Sequence, residues 1–158
     1  MIDRENAAEA EPPSTSMPAE AAGASAERVM AVSHAPASAH VAVIGHHTLP
    51  YVLALMQSGC GCVRSLRPDA AAPDCEPADL TWIVDCRDDR ELDGALRAAR
   101  RRAGARGRVV LEGAGCRWRR ALSAVRDHAL KAGLDIVSFD HATGRVVFAP
   151  AVRLAMAA

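Results

Sequence analysis

Two apolar stretches of this sequence are each followed by side chains capable of chemistry. His46 and His47 follow the first stretch, and Asp85 and Cys86 follow a later one. Imidazole, carboxylate and thiolate groups are ligands for zinc, and a thiolate activated by a histidine is a nucleophile. The spacing favours neither chemistry, because adjacent histidines on one turn point apart and no hydrolase motif accompanies Cys86. We therefore expect no metal ion and no cysteine nucleophile.

Arginines mark a third stretch of the chain. Arg64 and Arg67 stand where an arginine accommodates the 2′-phosphate of a phosphorylated nicotinamide cofactor. The pyrophosphate of that cofactor also needs a turn with three glycines, and the first turn here has only Gly45. A surface ion pair with Asp69 or Asp74 is therefore the favoured interpretation of these arginines.

The cysteines indicate a reducing compartment. There are five of them, an odd number, without the spacing of a disulfide framework. We interpret Cys60 and Cys62 as structural thiols. The sequence has no run of about 18 apolar residues and no signal-peptide pattern at its start, so we expect a cytoplasmic protein with no membrane partner.

Apolar periodicity and turn residues predict the secondary structure. Strands are expected at 40–45, 61–66, 79–85, 108–112, 135–139 and 145–149, and helices at 48–58, 89–103 and 117–132. Within the first helix, Val52, Leu53, Leu55 and Met56 are predicted to face inward. The three prolines of 67–78 predict an irregular crossing, and Asp140 to Gly144 predicts a hairpin turn.

Alternation of strands and helices predicts an α/β fold with an open three-layer sheet. About five strands would be parallel, and the last would be antiparallel because it follows a hairpin. Right-handed crossovers place strands two and three on either side of strand one. The carboxyl ends of the strands then gather a candidate cleft: Gly45, His46, His47, Arg64, Arg67, Asp85 and Cys86.

Composition divides the chain into a tail and one domain. Residues 1–39 are mostly Ala, Glu, Pro and Ser, with six acidic and two basic side chains, and predict a disordered tail or a start misplaced upstream of Met17 or Met30. Residues 40–150 predict a single domain and 151–158 a frayed end. The domain and its end carry 17 basic and 13 acidic side chains, an excess too mild to indicate nucleic acid.

Arginines are concentrated on the second and third predicted helices and beside them. A nucleic-acid module would interleave aromatic side chains or contain a docking motif, and neither is present. The arginines therefore favour a solvated face: Arg97, Arg100, Arg101, Arg102, Arg106, Arg108, Arg117, Arg119, Arg120 and Arg126.

The order of elements over 40–150 resembles the Rossmann-like fold of class I S-adenosylmethionine-dependent methyltransferases, whose sheet also ends in an antiparallel strand. The closest local likeness is the helix 95–101 with its basic residues, followed by the strand Gly107-Arg108-Val109-Val110-Leu111. The strand 79–85 is similar to the one before that helix. The resemblance implies S-adenosylmethionine as the cofactor, held by a glycine-rich first loop and an acid after strand two.

This sequence departs from the family where the cofactor would bind. The first loop carries His46 and His47 in place of glycines. The region at the end of the second strand, Arg64-Ser65-Leu66-Arg67, has no acid before Asp69, and the crossing 67–78 replaces a strand and a helix. We expect a degenerate, truncated and non-catalytic domain that binds an unidentified small molecule or protein. The alternatives are a divergent active methyltransferase that uses His46, His47 and Asp85, and a nucleic-acid-associated accessory protein.

Overall fold

Six strands and four helices make up the part of the chain that the computed structural model describes, residues 19–69, 76–113 and 122–152. No helix in these three ranges is both long and apolar enough to cross a membrane. In chain order the elements are α1 (Ala19–Ser33), β1 (His40–Ile44), α2 (Leu49–Gln57), β2 (Cys62–Leu66), β3 (Ala78–Ile83), α3 (Asp89–Arg102), β4 (Ala103–Leu111), α4 (Leu122–Ala132), β5 (Leu134–Asp140) and β6 (Arg145–Pro150).

The strands form one sheet in the order β2-β1-β3-β4-β6-β5. The first four are parallel, and β6 runs antiparallel to both β4 and β5, so β5 points the same way as the first four. The predicted α/β fold with five parallel strands and one antiparallel strand is confirmed. β2 and β3 lie on opposite sides of β1, as right-handed crossovers require.

Helices cover both faces of the sheet, which gives three layers. α1 and α2 pack over one face with Leu80 and Trp82, and α3 and α4 pack over the other with Ile83 and Leu111. The fully buried indole of Trp82 meets the ring of Tyr51 in α2 edge to face, with 4.8 Å between centroids. Strands in the middle of the sheet are apolar throughout because alternate residues enter different cores.

Helix α1 falls within residues 1–39, which composition predicted to be a tail without regular structure. That prediction is wrong for 19–33, and residues 1–18 lie outside the described part. Alanine has the highest helix propensity, and its small side chain lets a helix pack closely, so a segment with few bulky residues still supplies a buried face. The fully buried side chains of this face are Ala22, Ala26 and Val29.

Helix α2 begins close to the predicted residue but turns a different face inward. Leu53 and Met56, predicted to be inside, are 48% and 59% exposed, whereas Tyr51, Ala54 and Leu55 are buried. Almost every residue of this helix is apolar, so its periodicity does not fix which side packs. Contact with α1 and Trp82 decides it.

Strand β4 begins at Ala103, five residues before the predicted start. Ala103 pairs with Ala78, and the register shifts before Arg108 pairs with Leu80. Gly107 lies at this shift, and a Cβ there would lie 2.8 Å from the carbonyl oxygen of Ala78. Gly104 and Gly107, which follow the predicted helix 89–103, therefore belong to an irregular strand.

The hairpin between β5 and β6 forms at the predicted turn. Thr143 donates a hydrogen bond from Oγ1 to Oδ2 of Asp140 at 2.8 Å, and the backbone N–H of Ala142 donates to Oδ1 at 2.9 Å. These hydrogen bonds, that of the Thr143 side chain above all, lower the pKa of Asp140.

Three predicted segments lie partly outside the described residues. They are the crossing 67–78, of which 70–75 are not described, the beginning of the helix 117–132, and the end of the chain beyond residue 152.

Candidate functional site at the carboxyl edge of the sheet

β1 and β3 end side by side in the middle of the sheet. The chain leaves β1 for β2 on one side and leaves β3 for β4 on the other. In open α/β sheets, ligands bind outside the carboxyl ends of strands at such a reversal. We call the gap between the loop 45–48, after β1, and the loop 84–88, after β3, the switch-point crevice.

Two histidine–carboxylate pairs span the switch-point crevice. His46 donates from Nε2 to Oε1 of Glu91 at 2.7 Å, and His47 donates from Nδ1 to Oδ2 of Asp85. An ionised carboxylate only accepts hydrogen bonds, so the imidazoles are the donors. The two adjacent rings therefore diverge to different acids, as expected, and tie the loop after β1 to the chain that follows β3.

Asp85 holds its carboxylate at the crevice in an uncommon backbone conformation. Its φ is 48°, in the left-handed region that residues other than glycine rarely adopt. The residue is 9% exposed, whereas the side chain of its partner His47 is 47% exposed. Such strain persists only where the surroundings fix it, and the contact with His47 belongs to those surroundings.

Gly45 is needed for strand packing at the bottom of the crevice. Its N–H donates to the carbonyl of Leu66 in β2 at 3.0 Å, and a Cβ on it would lie 2.1 Å from the carbonyl oxygen of Val84. The missing side chain thus lets the end of β1 approach the chain after β3. The space beside this glycine is occupied by the protein itself.

The end of the loop after β1 is tied to β2 by a hydrogen bond between two side chains. The hydroxyl oxygens of Thr48, before α2, and Ser65, in β2, lie 2.5 Å apart. Thr48 stands at the N-cap position of α2, but its side chain makes no capping hydrogen bond to the helix. The hydroxyl that would cap α2 is instead used to hold the loop against β2.

Of the two predicted arginines, only Arg67 lies near a histidine pair. Arg64 is in register with Ala42 in the middle of β2 rather than at its carboxyl end. Arg67 follows β2 and lines a cavity beside His46. No ion pair joins Arg67 to Asp69 among the described residues, and Asp74 lies outside them.

Cys86 is separated from the crevice by its burial. It is fully buried in the core beneath α3, with Ile83 and Leu92. Reactive cysteines are partly exposed beside positive charge, so this position suits a structural thiol. In the three described ranges, no group of three or more His, Cys, Asp or Glu side chains is arranged to hold a metal ion.

Cys60, before β2, is buried like Cys86, whereas Cys62 at the start of β2 is only partly buried. Cys60 is buried, and its thiol lies 3.9 Å from the sulfur of Met30 in α1. Burial raises the pKa of Cys60, which keeps the thiol protonated and unreactive.

Glu91, which the sequence analysis missed, anchors one side of the crevice. Asp88 caps α3 by accepting from the N–H of Glu91 at 2.9 Å, and Oε2 of Glu91 accepts from the N–H of Arg87 at 2.8 Å. The signal was present, because an acid three residues after an N-cap is the spacing of a capping box. This arrangement holds Glu91 where His46 reaches it.

A buried ion pair lies at the same edge, also unanticipated. Oε2 of Glu112, after β4, accepts from Nη2 and Nε of Arg145 at 2.8 and 3.1 Å, and both residues are under 5% exposed. Ser25 of α1 completes the network, donating to Glu112 and accepting from Arg145, each at 3.1 Å. This pair fixes α1 over the end of the sheet.

S-adenosylmethionine, the cofactor that the resemblance implies, does not fit the residues of the switch-point crevice. The histidine pairs cross the gap, and the chain packs against Gly45. β2 ends at Leu66, and Arg67 and Pro68 separate it from Asp69, so no acid stands directly after the strand to accept hydrogen bonds from ribose hydroxyls. We therefore derive no reaction step through this cofactor.

Comparisons with known proteins identify the fold only. No protein-family model matches the chain, and no curated protein matches it. Among solved structures, the chain is similar to the CcbJ methyltransferase from Streptomyces caelestis, with 12% identity over 89% of this chain and 93% of that chain and a TM-score of 0.61.

Two further structures are similar to the same extent. The glycopeptide N-methyltransferase MtfA, solved with sinefungin, has a TM-score of 0.61 at 11% identity, over 80% of this chain and 92% of that one. A ribosomal protein L11 methylase from Lactobacillus delbrueckii subsp. bulgaricus has a TM-score of 0.60 at 14% identity, over 82% and 76%. The chain therefore has the Rossmann-like fold of the class I S-adenosylmethionine-dependent methyltransferases.

Proposed function

We propose that this chain is a non-catalytic domain with a methyltransferase-like fold, which binds a small molecule or a protein in the cytoplasm instead of transferring methyl groups. The observation that carries the proposal is the pair of bridges across the switch-point crevice, His46 to Glu91 and His47 to Asp85. A methyl donor that occupied this gap would have to separate both.

The bridges impose a free-energy cost on any ligand that enters the gap. A hydrogen bond to a charged group contributes about 1.5–3 kcal/mol, and the half-exposed His47 lowers that value for its pair. Opening both pairs therefore costs about 3 kcal/mol, which weakens binding about a hundredfold. The buried carboxylate of Asp85 would also need a new partner.

Two further features support the loss of the cofactor. Gly45 is packed against Val84, and Ser65 near the end of β2 is hydrogen-bonded to Thr48. A methyl donor would thus find neither a free backbone at the loop after β1 nor an acid directly after β2. An open crevice, a free backbone at the first loop and an acid directly after β2 would hold three different parts of the cofactor, and all three are missing.

Equilibrium dialysis of the full chain against labelled S-adenosylmethionine tests the proposal. We expect no saturable binding below about 100 μM, because the hundredfold penalty raises a dissociation constant of about 1 μM to that value. Saturable binding of one molecule per chain below about 100 μM would overturn the proposal.

A divergent active methyltransferase is the second candidate, and the His47–Asp85 pair favours it. A half-exposed histidine that is held by a buried carboxylate is an arrangement used for general bases. The strained φ of Asp85 is also common at active sites.

Dialysis of a His47→Ala variant separates the two candidates. An active enzyme binds the methyl donor as wild type, and the substitution removes the base without blocking the gap. The proposed non-catalytic domain shows no saturable binding as wild type, and loss of the His47 bridge lowers the cost of entry, so any binding by the variant is stronger than by wild type.

A further inference from the structure

We propose that a cavity beside the switch-point crevice binds a small phosphorylated anion through arginine side chains. This inference rests on the proposed function, because it supplies the ligand of a domain that no longer holds a methyl donor. The cavity has a volume of about 510 Å³ and lies between α3 and the segment 67–69 after β2, with His46 and Glu91 on its wall. Pockets for small molecules are commonly of this size.

One face of α3 forms a wall of the cavity. Arg90, Gly94, Arg97 and Arg101 follow one another at intervals of four, three and four residues, so they share a face of the helix. Gly94 allows close approach here, since a Cβ on it would lie 2.8 Å from the carbonyl oxygen of Pro68. This contact places Arg67 opposite the arginines of α3.

The positive and negative side chains of the cavity differ in their hydrogen bonding. The carboxylates of Asp88 and Glu91 already accept hydrogen bonds from the capped end of α3, and Glu91 also accepts from His46. Among the described residues, none of the four cavity arginines forms an ion pair, and only Asp69 remains as a carboxylate without a hydrogen bond. The four arginines are Arg67, Arg90, Arg97 and Arg101.

Phosphate is the chemical group that this arrangement fits. A guanidinium donates two parallel hydrogen bonds to phosphate oxygens, and the four arginines that line the cavity exceed its three carboxylates, Asp69, Asp88 and Glu91, by one positive charge. The described residues that line the cavity include no Phe, Tyr or Trp on which a base would stack. A cavity of this volume without stacking partners favours a small phosphorylated molecule over a nucleic-acid strand.

Calorimetric titration of the full chain with pyrophosphate, at constant ionic strength, tests the site. The test variant is the double substitution Arg97→Gln and Arg101→Gln; both side chains are exposed, so the fold should persist. Arg126→Gln on α4, another exposed arginine outside the cavity, is the matched control.

We expect saturable binding of one pyrophosphate per wild-type chain, at least about tenfold weaker in the double variant and within twofold of wild type in the control. No binding to wild type, or equal weakening in both variants, would overturn the site. An oligonucleotide that binds and is not displaced by pyrophosphate would also overturn it in favour of a nucleic-acid surface.

S-adenosylhomocysteine titrated into the same samples separates this inference from the proposed function. If that compound binds while pyrophosphate still depends on Arg97 and Arg101, the anion site stands and the non-catalytic proposal fails. If neither compound binds, the anion site is wrong and the non-catalytic proposal stands.

Discussion

Gly45 lies where the neighbouring backbone leaves no room for a side chain, and an added methyl group tests this. Gly45→Ala would place a Cβ 2.1 Å from a backbone oxygen of Val84, and backbone yields little. We expect the free energy of unfolding to fall by about 3 kcal/mol or more, the upper range for an overpacked site. Denaturant titration of the full chain measures it.

Gly23 in α1 is the matched control for that substitution. No atom lies within 4 Å of the Cβ that alanine would add there. Gly23→Ala should raise the free energy of unfolding by about 0.5–1 kcal/mol, because alanine is the better helix former. Equal destabilisation by both substitutions would contradict the packing described at Gly45.

We expect replacement of the buried Glu112 to lower the free energy of unfolding strongly. Glu112→Gln leaves the buried guanidinium of Arg145 without a charge partner, which costs about 3–5 kcal/mol. Glu27→Gln, at an exposed position of α1, should change the free energy of unfolding by less than about 0.5 kcal/mol. Similar small losses for both would show that the ion pair is not formed.

Single residues show where sequence reasoning stopped. His46, His47 and Asp85 could be assigned to one edge because topology gathers the ends of parallel strands. Their partners could not, because Glu91 approaches His46 across 45 residues of chain and Glu112 pairs with Arg145 across 33. Such pairs depend on how two loops meet, which no local pattern encodes.

Among the elements, α2 offers the sharpest test of its orientation. Leu55→Ala removes a fully buried side chain and should cost about 2–5 kcal/mol. Leu53→Ala, two residues away and half exposed, should cost less than about 1 kcal/mol. Chemical denaturation of both variants measures the difference, and the reverse order would restore the inward face predicted from the sequence.

Helix α1 was missed while the strands β1 and β3 were placed closely, for an identifiable reason. A strand buried on both faces needs only a short apolar run, as in β1 and β3, and both were placed within two residues at each end. α1 lacks bulky residues, and its packing depends on alanines that also occur in unstructured segments. α1 differs from an unstructured segment because it packs against the face of the sheet, and that contact is not visible in the sequence alone.

At the scale of the whole molecule, the topology was predictable. Alternating strands and helices with right-handed crossovers leave few arrangements, and the observed order β2-β1-β3-β4-β6-β5 is among them. The fold shared with methyltransferases does not determine activity, because function resides in the residues of a site. In this chain, two histidine–carboxylate pairs bridge the switch-point crevice, where ligands bind in other open α/β sheets.

Thermal unfolding of the full chain with and without 0.1 mM S-adenosylhomocysteine tests that difference most directly. A ligand at a hundred times its dissociation constant adds about 2.7 kcal/mol of stability, which raises Tm by several degrees in a domain of this size. We predict that Tm stays within about one degree, because such a ligand would first have to break the pairs of His46 and His47. A rise of several degrees would contradict a closed crevice and make this edge of the sheet the cofactor site.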